Sequence, residues 1–226
     1  MRLLLFGGTG SMGIPLAREY LWVYSSSTLV LYVRNRSKVP QDLAEHRNVI
    51  IIEGELDDMD MLSKAMEGVD AVIAALGPTG RKGPFYPRDT PIAAAYIRIM
   101  VTMKGHGVRR LIALTTPSVR DPEDQFSLSL IFLRKMFATL CPNAVKDIVA
   151  VGRVIRTQRE ELDWTLMRLA LHSSDTDPEN CEVVAGYMGD GKINAVSSRI
   201  GAAQFIIQEL DRREWIWKSP ILSKPS

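Results

Sequence analysis

Leu3-Leu4-Leu5-Phe6-Gly7-Gly8-Thr9-Gly10-Ser11-Met12-Gly13 is an apolar run that breaks into glycines. The run suits a strand covered on both faces. Beyond it, Met12, Leu16, Leu21 and Val23, with Pro15 early enough for a first turn, predict a helix that starts directly after the glycines. Strand, turn and helix together make a phosphate cradle. Gly7 allows the tight turn, Gly10 lacks the Cβ that would hold a pyrophosphate off the backbone, and Gly13 lets the helix close on the strand. The helix N-terminus adds free N–H groups and positive dipole. The expectation is a dinucleotide site using Gly7, Thr9, Gly10, Ser11, Met12 and Gly13.

Working outward, Leu29 to Val33, Val49 to Ile52, Ala71 to Ala75 and Leu111 to Leu114 are further apolar runs. Helical stretches fall between them at Asp58 to Met66 and at roughly Pro91 to His106, where Gly105 and Gly107 act as stops. This alternation predicts a Rossmann-type, doubly wound α/β fold: a parallel sheet with right-handed crossovers. Residues 77–91 hold so many helix breakers that they must form a loop, leaving the fourth strand where such sheets border their ligand. Helices are then expected near Leu128 to Leu140 and Val145 to Glu161, and a sixth strand over Trp164 to Met167. A polar loop from Arg168 to Asn180 and a helix from about Ser198 to Leu210 follow. Trp215-Ile216-Trp217 is expected to pack on the sheet or to form a subunit contact. With no linker in view, residues 1–226 read as one domain, 121–226 supplying most of a small substrate-side lobe.

Composition narrows the partners. Lys and Arg total 28 against 26 acids, a net charge of +2, which gives no electrostatic case for nucleic acid. Only two cysteines occur, Cys141 and Cys181, so reduced thiols and a cytoplasmic setting are expected. The N-terminal apolar run is too short for a signal peptide or a span, and no membrane partner is expected. His46, His106 and His172 are scattered and neither cysteine has a partner at ligand spacing, so no metal is expected. Oligomeric state is open.

The second strand ends Val33-Arg34-Asn35-Arg36-Ser37-Lys38. An acid there would bond a ribose 2′-hydroxyl and repel a 2′-phosphate; Arg34, with Lys38 or Arg36, would pair with the phosphate. NADP(H) is therefore favoured over NAD(H), the alternative being a solvated basic turn. After the third strand, Gly54-Glu55-Leu56 offers Glu55 and Leu56 to the adenine, while Asp57 and Asp58 read as helix caps.

These segments resemble the atypical short-chain dehydrogenase/reductases of the NmrA-like and flavin-reductase (biliverdin reductase B-like) kind. The matching pieces are Gly7 to Gly13, Val33-Arg34 with Lys38, Gly54-Glu55-Leu56, Asp70 to Ile73, Met103 to Val108, Leu162 to Arg168 and Ser198 to Ala203. The resemblance implies NADP(H) binding, with the nicotinamide near the fourth to sixth strands. Ala75, Leu76, Gly77 and Thr115 would then line the cofactor. Thr116 occupies the position of the flavin reductases' active-site serine.

The departures bear on activity. None of the tyrosines at 20, 24, 32, 86, 96 and 187 has Lys four residues on, so the Tyr/Lys acid/base pair of conventional short-chain dehydrogenases is missing. The family's Arg-Pro-Gly after the sixth strand is here Arg168-Leu169-Ala170-Leu171-His172. The proton-handling candidates are Thr116, His172 and Tyr86; a surface histidine and a plain loop anchor are the competing readings of the last two. Lys146-Asp147 reads as a solvated pair, and Lys104 and His106 as cations at a helix C-terminus. The leading expectation is an NADPH-dependent oxidoreductase of a small carbonyl, enone or flavin-like acceptor. The alternatives are an NADP(H)-sensing regulatory protein and a non-redox isomerase or cyclase.

Overall fold

The computed structural model describes residues 1–78, 85–172 and 181–225, apart from the side chains of residues 129, 130, 133 and 172. Its first half alternates as expected: β1 (Arg2–Phe6), α1 (Gly13–Val23), β2 (Thr28–Val33), a short α2 (Gln41–Ala44), β3 (Val49–Glu53), α3 (Met59–Met66), β4 (Ala71–Ala74), α4 (Pro91–Gly105) and β5 (Arg110–Thr115). The second half holds α5 (Leu128–Leu140), α6 (Pro142–Arg156), β6 (Asp163–Leu169), β7 (Leu171–His172), β8 (Val184–Gly186), β9 (Val196–Ser197), α7 (Arg199–Arg212) and β10 (Ile221–Ser223). Eight strands form one sheet in the order β3-β2-β1-β4-β5-β6-β10-β8, parallel except for β8, while β7 and β9 pair separately.

The apolar runs are continuous because both faces of the sheet are covered. Leu4, Phe6, Val30, Tyr32, Val72, Leu111 and Leu166 share one core with Tyr96 and Ile99 of α4 and Val151 and Ile155 of α6. Leu3, Leu5, Leu29, Leu31, Ile73, Ile112 and Met167 alternate into the other, with Leu16 and Tyr20 of α1 and Ile206 of α7. Full burial of each such side chain contributes about 1.5–3 kcal/mol. The amino edge of the sheet is tied by buried Arg110, which donates to Thr165 Oγ1 and pairs with Glu209 at 3.2 Å. Among the described residues, no helix is long and apolar enough to cross a membrane.

Several expectations are corrected. The helix expected over Val145 to Glu161 starts and ends earlier: Pro142 opens α6 as a first-turn residue, where its missing N–H costs nothing, and α6 ends at Arg156. The sixth strand runs on through Leu169, so Arg168 is a fully buried strand residue and not the start of a polar loop. Leu171–His172 is itself a strand, with Leu171 donating to the Ala195 carbonyl at 3.0 Å; residues 173–180 of the expected loop lie outside the described residues. Asp147 is no solvated partner of Lys146: it is fully buried. The Trp215 to Trp217 turn lies against the sheet edge, where the Trp217 amide donates to the Trp164 carbonyl at 2.7 Å.

Candidate functional site

In this strand order β1 and β4 are neighbours although β2 and β3 intervene in sequence, which makes the carboxyl ends of β1 and β4 the switch point where open α/β sheets bind ligands. The glycine turn lies there. The Ala75 amide donates to the Phe6 carbonyl at 3.0 Å, and Gly7 follows at φ +77°. A Cβ on Gly7 would collide with the Ala75 carbonyl, and one on Gly13 with the Gly7 carbonyl and, at 2.7 Å, with the Gly8 Cα. Both glycines are required by backbone packing alone. Gly10 differs: among the described residues, a Cβ there would meet the Gly7 carbonyl at 3.2 Å and nothing else within 4 Å.

The turn closes with the Gly10 amide donating to the Gly7 carbonyl at 2.9 Å. Ile14 then donates to the Gly10 carbonyl at 3.1 Å, whereas Ser11, Met12 and Gly13 have no backbone acceptor among the described residues. These are the orphan donors of a helix start. Thr9 is half-buried, Ser11 is exposed, and Met12 is buried in the α1-side core, which leaves its backbone as the part facing a ligand. The residues fit a pyrophosphate: free amides flank a space that a side chain at Gly10 would fill.

At the end of β2, Arg34 and Lys38 are exposed and have no hydrogen-bond or ion-pair partner among the described residues. The turn between them is shaped by Asn35, whose side-chain oxygen accepts from the Ser37 amide at 2.8 Å, and by Glu53, which accepts from the Arg36 amide at 3.0 Å. The basic turn is thus preformed around two unpaired cations. After β3 the Tyr32 hydroxyl donates to the Glu55 carbonyl at 2.7 Å, and a Cβ on Gly54 would strike that hydroxyl. Burial, with the charges of Asp58 and Glu55 adding, pushes Tyr32 up to about 12. It stays a donor and holds Glu55 and half-buried Leu56 beside the turn. Asp58 caps α3 by accepting from the Met61 amide at 3.0 Å.

Ala75 and Leu76 are half-buried and Gly77 exposed where the chain leaves β4, steadied by the Tyr96 hydroxyl donating to the Ala74 carbonyl at 2.9 Å. At the end of β5, Thr115 is buried, its hydroxyl 3.5 Å from the Met167 carbonyl, while Thr116 is exposed, its hydroxyl accepting, among the described residues, from the Ser118 amide at 3.3 Å. His172 stands in β7 opposite Ser197; its side chain lies outside the described residues.

Tyr86, the third proton candidate, is engaged inside the protein. Its hydroxyl is buried and donates at 2.7 Å to Asp147, and burial together with that carboxylate pushes its pKa far up. This geometry fits the anchor reading. Asp147 also accepts from the Ile92 and Ala93 amides at 3.0 and 2.9 Å, so a carboxylate on α6 caps α4 at the far end of the β4–α4 loop. Sequence reasoning missed this residue, whose partners lie 54 to 61 positions away. It also missed the fork of Arg168 on Asp124, at 2.7 and 2.8 Å. The signal there was an arginine between Met167 and Leu169, which demands a buried acid.

A parallel sheet wound 3-2-1-4-5-6, with a glycine turn and free amides at its switch point, defines a dinucleotide-binding protein of the Rossmann class. The chain belongs to the NAD(P)H-binding family, whose model matches residues 7–213. It is similar in fold to a short-chain dehydrogenase/reductase from Veillonella parvula solved in complex with NADP: 20% identity, TM-score 0.79, covering 100% of this chain and 95% of that one. It is likewise similar to ChuY, an anaerobilin reductase from Escherichia coli O157:H7, at 16% identity and TM-score 0.75, covering 100% and 98%. A curated relative, a UDP-N-acetylglucosamine 4,6-dehydratase (inverting) from Campylobacter jejuni, is 28% identical over 142 residues. That stretch takes in 60% of this chain and less than half, 42%, of the dehydratase.

Proposed function

We propose that this protein is an NADP(H)-dependent reductase of a small, flat organic acceptor bearing a carbonyl, an enone or a flavin-like ring. The observation that carries the cofactor choice is the pair of cations, Arg34 and Lys38, unpartnered among the described residues, at the end of β2, where an NAD-preferring site carries an acid. The amides of Ser11, Met12 and Gly13 would hold the pyrophosphate, the two cations the 2′-phosphate, and Glu55 with Leu56 the adenine. Ala75, Leu76, Gly77 and Thr115 would line the nicotinamide side. NADPH, when bound, supplies the hydride. The chain's own task is then orientation and a proton. Exposed Thr116 at the end of β5 would hydrogen-bond the acceptor's oxygen or nitrogen, and that atom takes its proton from water or through His172. The neighbours that accompany the reading are a structure holding NADP and one titled a reductase of anaerobilin.

The test is NADPH oxidation across flavins, quinones and enones, after binding has been measured by calorimetry. Turnover with at least one acceptor, lowered about tenfold or more in Thr116→Ala, is expected. Tight NADPH binding with no turnover on any acceptor overturns the reductase reading.

A redox-sensing role would fit a chain in which no tyrosine has Lys four residues on. Partner binding that distinguishes NADP+ from NADPH would support that role; indifference to the redox state removes it.

A further inference from the structure

Of the chain's 4 tryptophans, Trp164, Trp215 and Trp217 meet with Tyr187 around one cavity of about 670 Å³. Trp164 comes from β6, Trp215 and Trp217 from the turn before β10, and Tyr187 directly follows β8. Its size and aromatic lining are those of small-molecule sites, yet no residue of the glycine turn or of the basic turn after β2 lines it. Trp217 is held there under strain. Its backbone is left-handed, at φ +58°, a conformation that a large side chain adopts only where its surroundings impose it. The imposing bonds run from its amide to the Trp164 carbonyl at 2.7 Å and from its indole N–H to the Leu162 carbonyl at 3.0 Å. They fix the ring and leave it 41% exposed, so the strain presents an indole to the cavity and does not fill the core.

The polar groups of the lining are mostly donors without acceptors. Tyr20, Tyr24, Tyr32, Tyr86 and Tyr96 each donate their hydroxyl within the protein, whereas the hydroxyl of half-buried Tyr187 has no partner among the described residues. Burial, with the charges of Asp121 and Glu123 adding, pushes the Tyr187 pKa up to about 12, so at neutral pH it is a donor. The indole N–H of buried Trp164 also lacks an acceptor among the described residues. The Arg159 guanidinium lies 5.1 Å from the centre of the Trp217 ring and the Lys218 ammonium 5.4 Å from that of Trp215. Neither cation has an acidic partner among the described residues; Lys218 donates to the Glu214 carbonyl at 3.1 Å. Of the other charges in the lining, Arg156 and Asp121 pair at 3.2 Å, which leaves exposed Glu123.

We propose that this cavity is a second small-molecule site, apart from that of the dinucleotide, and that it takes a flat aromatic acid. The ring of the ligand stacks against Trp215 and Trp217, and its carboxylate accepts from the Tyr187 hydroxyl and pairs with Arg159 or Lys218. A cation is the poorer occupant, because Arg159 and Lys218 already stand over the indoles that would receive it. A ring without an acid leaves the three donors unused. The choice thus rests on free donors beside aromatic faces and not on net charge, and it does not depend on which acceptor NADPH reduces.

Calorimetric titration of the full chain with naphthoate, with and without saturating NADPH, tests this. Saturable binding is expected in both conditions, about tenfold or more tighter than that of cyclohexanecarboxylate, an acid without the aromatic ring, or of naphthylmethylamine, the ring with the opposite charge. Tyr187→Phe should weaken naphthoate about three- to tenfold and Arg159→Glu about tenfold or more, each with NADPH affinity unchanged. Trp217→Ala should remove the binding. Should that variant fail to fold, the other two carry the test, since one deletes an unpartnered hydroxyl and the other changes an exposed side chain. The proposal is overturned by the lack of saturable naphthoate binding below about 1 mM. Equal affinity for either control compound, competition with NADPH, or indifference to both Tyr187→Phe and Arg159→Glu overturns it as well. Binding lost in Thr116→Ala but kept in Tyr187→Phe would place naphthoate at the end of β5 and overturn it too.

Discussion

At the residue scale, the three glycines of the turn have different duties, and substitution separates them. Gly13→Ala drives a methyl into the Gly7 carbonyl, so the unfolding free energy should fall by about 1–3 kcal/mol, read by denaturant titration. Gly10→Ala meets only the Gly7 carbonyl at 3.2 Å. Its stability should change by less than about 0.5 kcal/mol, while its NADPH dissociation constant rises tenfold or more in calorimetry, because the methyl occupies the phosphate's space. Arg34 is a second separable residue. Arg34→Glu should cost roughly 10- to 100-fold in NADPH affinity and leave NADH affinity within a few-fold, since the lost charge-assisted bonds serve only the 2′-phosphate.

At the element scale, the β4–α4 loop and α6 act together through Asp147. Asp147→Ala leaves two α4 amides and the Tyr86 hydroxyl without an acceptor and should lower stability by about 3 kcal/mol. Tyr86→Phe removes one bond, costs about 1 kcal/mol, and should leave kcat with any accepted substrate within about twofold. A loss of kcat in Tyr86→Phe larger than its loss of stability would restore Tyr86 as a proton donor. The strands and helices that alternate around the glycine turn were legible because each carries its own periodicity, buried on both faces. Asp147 was not, because a capping carboxylate borrowed by another helix leaves no local pattern. The two- and three-residue strands β7 to β10 were equally silent: runs so short are selected by the partner they pair with. Of the candidate site, the glycine turn and the basic turn after β2 were readable from residue type and spacing. The commitment of Tyr86 and the burial of Arg168 depend on distant partners and were not.

At the scale of the whole molecule, the knot around Arg168 joins parts of the chain far apart in sequence. Its guanidinium donates to Asp124, to the Val119 carbonyl at 3.1 Å and to the Ser219 carbonyl at 2.6 Å, so β6, the segment after β5 and the approach to β10 meet at one buried charge. Burial raises the Asp124 pKa, but the bonds and charge of Arg168 outweigh it and hold the carboxylate below its ordinary value of 3.8. A depressed folded pKa gives stability that is complete above the unfolded value and is lost as the pH falls through the folded one. The unfolding midpoint should therefore be level above about pH 5 and drop below the ordinary carboxylate range. Asp124→Asn should begin about 3 kcal/mol lower and show a shallower acid limb, measured by thermal melts across pH.

The same knot orders events in time. Arg168 enters the sheet on β6, yet one of its acceptors, the Ser219 carbonyl, and the neighbouring strand β10 are synthesised some fifty residues later. A nascent chain paused between them holds a desolvated cation that is short of an acceptor, beside an unpaired edge. Arrival of Ser219 to Ser223, and not completion of the glycine turn, is then the step that commits the sheet to closing. Until that point the β6 edge is where a chaperone would bind.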